Sequence, residues 1–124
     1  MNEKFNIIMP ETTDRVLCIM VDKPVSVEGY TQNFLPRVEE MAARHGEVRL
    51  LVYFKNYQGW EEEAALLDLN MTPKLGGYVR RFAMVNPPQK LLALLNLKKP
   101  LITGKTRSFN EAELDKALAW VQEN

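Results

Sequence analysis

The chain has 124 residues, 46% of them hydrophobic and 26% charged, with 16 basic against 16 acidic side chains. That is one domain's length and the composition of an ordinary globule, too apolar for intrinsic disorder. No apolar run approaches the ~18 residues of a membrane span, and one cysteine excludes an internal disulfide framework or a cysteine-built metal cage.

Taken in order, residues 4–9 form a short strand candidate, with too few apolar residues before Pro10 and Glu11 for a signal peptide. Residues 15–22 (RVLCIMVD) make a continuous apolar run, expected of a central strand buried on both faces. Val27, Tyr30, Phe34, Val38, Met41 and His45 then recur at helical spacing. Ser26 is placed to cap this helix and Gly46 to end it, while Pro36 should kink or divide it. Residues 48–55 (VRLLVYFK) are a second buried strand, and residues 56–59 a turn. A helix opens at Trp60 with Glu61, Glu62 and Glu63 against its positive end, and is interrupted at Thr72-Pro73 and Gly76-Gly77. Residues 80–85 are a third core strand. Asn86, Pro87 and Gln89 read as cap, first helical position and capping-box partner of a helix to about Lys98. A last strand, 106–109, precedes a second capping box, Asn110 with Glu113, and a helix with Leu114, Ala117, Leu118 and Val121 on one face.

The order β-β-α-β-α-β-α-β-α predicts a single α/β domain over residues 1–124: a mixed, mostly parallel five-stranded sheet with four helices. The link between the first two strands is too short for a parallel crossover, so the first strand should be antiparallel.

An ordered set of short motifs adds to this reading. They are Val27-Glu28-Gly29-Tyr30, Leu35-Pro36, Arg44-His45-Gly46 before Val48-Arg49-Leu50-Leu51-Val52, and Gly59-Trp60-Glu61. Arg81-Phe82-Ala83-Met84-Val85 and Phe109 with 113–120 (ELDKALAW) complete the set. Over residues 4–122 the chain resembles the SpoIIAA-like family of STAS/Sec14-related α/β proteins. The resemblance implies five strands and four helices. It implies no single activity, because relatives include anti-sigma-factor antagonists and binders of lipids in an apolar cavity. Antagonists of this kind carry a phosphorylatable serine at the turn into the second helix. Here that turn is Lys55-Asn56-Tyr57-Gln58-Gly59, and the chain's two serines are Ser26 and Ser108.

Catalytic patterns find little support. His45, the sole histidine, sits where it complements the negative end of a helix and bonds a free carbonyl. Cys18, in mid-strand, should be buried and inert. Gly104-Lys105-Thr106 matches the end of a phosphate loop, but Lys99 occupies the required first glycine and a strand follows where a helix should. The chain is therefore expected to be non-enzymatic, without cofactor or metal.

The neutral total hides a segregation. Lys74, Arg80, Arg81, Lys90, Lys98, Lys99, Lys105 and Arg107 fall in residues 69–110, which contain no acid, leaving 16 acids against eight bases elsewhere. The same stretch holds Leu91, Leu92, Leu94, Leu95 and Leu97, more leucine than one ~100° stripe needs. The first functional expectation is binding of an apolar or lipid-like small molecule, with Trp60, Leu66, Leu67, Met71, Leu91, Leu94 and Leu95 lining or gating the pocket. Lys90, Leu92, Lys98 and Lys99 would meet an anionic membrane surface reversibly. The second is a homodimeric interaction domain of the antagonist type, without its serine. Nucleic acid is not expected as a partner, and the localisation expected is cytoplasmic, peripheral to the membrane where it associates.

Overall fold

In β2 (Leu17–Val21) alternate side chains point to opposite sides, and both sides are closed. Leu17, Ile19 and Val21 pack with Leu35, Val38, Met41 and Ala42 of one helix, while Cys18 packs with Ala117, Trp120 and Val121 of another. Period-two alternation within an unbroken apolar run thus places β2 in the middle of a three-layer α/β arrangement. The computed structural model describes residues 7–21, 28, 30–55, 74–89, 92, 93, 96, 100 and 102–123.

The sheet order is β1-β2-β3-β4-β5, with β3 at Val48–Phe54, β4 at Val79–Val85 and β5 at Lys105–Phe109. β2 to β5 run parallel, in register Cys18↔Leu51↔Ala83↔Arg107. β1 (Ile7–Ile8) is a two-residue edge, antiparallel to β2 as the short link requires. The sheet proper is therefore four parallel strands. Two α-helices are described, α1 (Leu35–His45) and α2 (Leu114–Val121), against the four expected. The other two fall at 60–71 and 87–98; the first lies outside the described residues and the second largely so.

Sequential parallel strands with right-handed crossovers put their connections on one face. In agreement, α1 and Leu92 pack on the same side of the sheet. α2 follows the last strand, needs no crossover, and covers the opposite side.

Pro36 divides its helix as predicted: a π-helical turn (Tyr30–Phe34) precedes it and α1 starts with the proline in its first turn. The wider turn relieves the clash between a proline ring and the carbonyl four residues back. Gly46 ends α1 at φ 71°, its N–H donating to the Ala42 carbonyl at 2.9 Å. The capping box of Asn110 and Glu113 is present, opening a 3-10 turn (Glu111–Glu113) before α2.

Two local expectations fail. Asn86 is not a helix cap: it has φ 59°, and its side-chain Nδ2 donates across the sheet to the Phe54 carbonyl at 2.9 Å. A cap needs extended backbone, so the described helical residues resume only at Gln89. His45 Nε2 meets no helix carbonyl. It is buried without a hydrogen-bond partner and lies 3.7 Å from Asp14 Oδ2.

Candidate functional site

On the α1 side, burial changes across the sheet. Under α1, Leu17, Ile19, Val38 and Val48 are sealed. Val52 in β3 and Phe82 in β4 are only half-buried, although both are mid-strand, and half-buried Leu75, Leu92 and Ile102 pack against the same cluster. A closed three-layer sandwich buries such positions fully. Val52, Phe82 and Ile102, the last from the acid-free stretch, are thus half-buried apolar side chains on one side of the sheet. Among the other side chains expected to bind ligand or membrane, Trp60, Leu66, Leu67, Met71, Leu91, Leu94 and Leu95 lie outside the described residues, as do Lys90, Lys98 and Lys99.

The carboxyl ends of the parallel strands are tied by one residue. Asn86 donates its side chain to β3 and its main-chain N–H to the Phe109 carbonyl of β5 at 2.8 Å. Left-handed backbone is tolerated by asparagine far better than by most residues, and here it turns the amide toward both neighbours. Beside it the Tyr53 hydroxyl donates to the Glu111 carboxylate, which holds the phenol's pKa above its usual 10.0. The strand order has no reversal among β2 to β5, so this end lacks the crevice in which doubly wound sheets bind nucleotides.

At the amino ends, two arginines that sequence reasoning missed are buried. Arg49 and Arg81 are paired in register on the α2 face. Arg49 Nη1 donates to the carbonyls of Val121 (2.8 Å) and Glu123, and its Nε to Glu47 Oε2 at 2.9 Å. The Arg81 guanidinium lies 4.7 Å from the Trp120 ring centroid, with Glu123 Oε1 at 4.0 Å. Charge is thus placed against the negative end of α2 and an aromatic face. This is a clamp on the chain's last helix. The signal available in the sequence was an arginine near the start of each of two apolar strands, aligned once the strands pair.

The basic residues divide between surfaces. Register places Arg81, Lys105 and Arg107 on the α2 face. Lys74, Tyr78 and Arg80 are exposed near the start of β4, and Tyr78, at 46% exposure, is the exposed large hydrophobic side chain among the described residues.

Cys18 is fully buried, and its thiol pKa is pushed from 9.0 to about 11, by burial first and by the Glu11 charge second. A thiol protonated when folded and ionising more readily when unfolded stabilises the fold fully below pH 9.0, and that contribution is lost as pH rises toward about 11. Native protein should therefore resist a thiol reagent at pH 8 until denaturant is added; immediate labelling would contradict the burial.

No group of metal-ligating side chains is found among the described residues, and no helix there is long and apolar enough to cross a membrane.

The SpoIIAA-like family model matches residues 16–122. The chain belongs to the SpoIIAA-like family. A crystal structure of an uncharacterised protein of the DUF3478 family from Shewanella loihica PV-4, with a SpoIIAA-like fold, superposes with a TM-score of 0.73 at 20% identity. The match covers 98% of this chain and 97% of that one. At that identity the likeness shows the fold alone. Comparison with curated proteins gives no match. The matched residues run from just before β2 to the end of α2 and leave β1 outside. The family assigns no ligand, so the chemistry of a SpoIIAA-like domain has to be argued from its surfaces.

Proposed function

We propose that this SpoIIAA-like domain is a non-enzymatic binding module for an apolar or lipid-like small molecule, held on the α1 side of the sheet. The observation that carries the reading is the half-burial of Val52 and Phe82 in mid-strand, in one cluster with half-buried Leu75, Leu92 and Ile102; we read this surface as a shallow apolar depression. Apolar concavities with few polar groups are where small apolar ligands bind. Reversible contact with an anionic membrane surface would deliver such a ligand. Support for that step comes from exposed Tyr78 between Lys74 and Arg80, an amphipathic aromatic beside cations in a stretch without acid. Lys90, Lys98 and Lys99 would extend the same attraction.

A fluorescent fatty acid should bind the purified protein, and Val52→Phe, which fills the depression, should weaken it about tenfold without unfolding the domain. In sedimentation, vesicles containing phosphatidylglycerol should carry down more protein than pure phosphatidylcholine vesicles, and Tyr78→Ser should reduce the difference. Fatty-acid binding unaffected by Val52→Phe removes the pocket, and equal sedimentation with both vesicles removes the membrane step. A concentration-dependent mass in light scattering that the fatty acid abolishes would favour the homodimeric interaction domain, with this depression as its interface.

A further inference from the structure

We propose that the outer edge of β5 is a docking site for an acidic, extended segment of a partner protein, which adds to the sheet as a further strand. The proposal is independent of the apolar-ligand reading and concerns another surface.

Among the described residues β5 is a terminal strand of the sheet, paired with β4 alone. The Phe109 carbonyl accepts from the Asn86 N–H, so Phe109 turns its main-chain groups toward β4. Main-chain direction alternates along a strand, so Lys105 and Arg107 do the same, while Thr106 and Ser108 present their N–H and C=O outward. An outward row of that kind is a template for another strand. The opposite edge, β1, shows two residues, Ile7–Ile8, among those described.

Side-chain charge selects the occupant. Lys105 and Arg107 stand exposed on the α2 face of this edge. Neither has a carboxylate within ion-pair distance among the described residues. Arg107 is held over the Phe109 ring at 4.7 Å, and Phe109 is itself buried and meets the Trp120 ring at a tilt of 60°, centroids 5.9 Å apart. The guanidinium is therefore positioned by a rigid aromatic. A second copy pairing through β5 would set lysine and arginine against lysine and arginine on one face, which cross-strand pairing disfavours. An incoming strand with acids at alternate positions places each beside one of these cations. The same two residues that bar self-association thus admit an acidic partner.

The test uses the full chain and a capped pentapeptide alternating glutamate and valine, with the lysine–valine peptide as control. At millimolar peptide, amide exchange should slow at Thr106 and Ser108, with no change at Arg107. Fluorescence anisotropy should show binding weakened about tenfold or more by Lys105→Glu with Arg107→Glu, the order expected for reversing two charge contacts. Ser108→Pro, which deletes an outward donor and spares the β4 ladder, should do the same. Circular dichroism checks both variants. If either unfolds, the wild-type exchange pattern decides: slowing confined to Thr106 and Ser108 supports the proposal, and its absence overturns it. Equal binding of the lysine–valine peptide overturns it, as does a self-associated mass that Ser108→Pro abolishes.

Discussion

Arg49→Met is expected to lower the melting temperature by about 10 °C, which for a domain of this size corresponds to roughly 3 kcal/mol. Arg49 is 5% exposed, and its guanidinium reaches the Val121 and Glu123 carbonyls and the Glu47 carboxylate. Methionine replaces its length but not its donors. Two carbonyls at the end of α2 then lose this donor, at about 1–3 kcal/mol for a group left buried and unsatisfied, and Glu47 keeps Arg80 at 4.0 Å. Breaking a fully buried pair costs about 3–5 kcal/mol. Glu47 is partly exposed, and water recovers some of that. Relief of Arg81, whose guanidinium neighbours Arg49 in register, recovers a little more. The lower end of the range is the balance.

Lysine at this position keeps the charge without the planar fork, so Arg49→Lys should recover only a minor part of the loss. The clamp also has an acid signature. The Arg49 hydrogen bond holds Glu47 below its ordinary 4.5, against the opposing effect of burial. A depressed carboxylate stabilises the fold above its unfolded pKa and loses that contribution as pH falls through the folded one. Below pH 4.5 the wild type should therefore lose stability more steeply than Arg49→Met. A variant melting within about 2 °C of wild type at pH 7 would show that the clamp holds little.

How legible this was in the sequence depended on whether the cause was local. The strands at 17–21, 48–54 and 79–85 were visible because short, mainly apolar runs with turn residues between them have few alternatives. Gly46, Pro36 and the Asn110/Glu113 box were visible because each acts within one turn of chain. Asn86 misled for the opposite reason. Asn-Pro-Pro-Gln is locally a helix start, but the amide is recruited by Phe54, which is 32 residues away. Arg49 and Arg81 were hidden in the same way: two arginines in separate apolar strands look solvated until register sets them side by side beneath α2, Arg81 against Trp120. At the candidate site, the cationic and leucine-rich character of 69–110 was plain. The half-burial of Val52 and Phe82 was not, because it depends on tertiary packing and leaves no trace in their own strands.

Gly104→Ala should cost about 3 kcal/mol or more, in the range where overpacking a rigid site becomes exceptional. A β-carbon built at Gly104 would lie 2.2 Å from the Arg80 oxygen, 2.3 Å from the Val79 oxygen and 2.5 Å from the Arg80 carbonyl carbon. Carbon contacts want about 3.5–4.0 Å. These are backbone atoms at a bulge of β4: Val79 pairs with Val48 and Arg81 with Arg49 of β3, which leaves Arg80 between them. With β4 held by β3 on both sides of the bulge, the start of β5 has to move. It would take with it the Arg81↔Lys105 pairing and the bond from the Thr103 N–H to the Gly76 carbonyl at 3.0 Å. Close approach, not phosphate binding, is thus the reason for the glycine in Gly104-Lys105-Thr106. Gly77→Ala is the internal control, since its β-carbon would meet only the Thr103 hydroxyl oxygen at 3.9 Å, an ordinary contact. Gly46→Ala should fall between them, at about 1 kcal/mol for alanine in a left-handed turn. Melting temperatures should follow that order, and amide exchange in Gly104→Ala should accelerate first at 105–107. Equal melting of the Gly104 and Gly77 variants would mean that β5 is only loosely seated. In that case Arg107 would not be held in place, and an acidic strand would find no fixed edge to join.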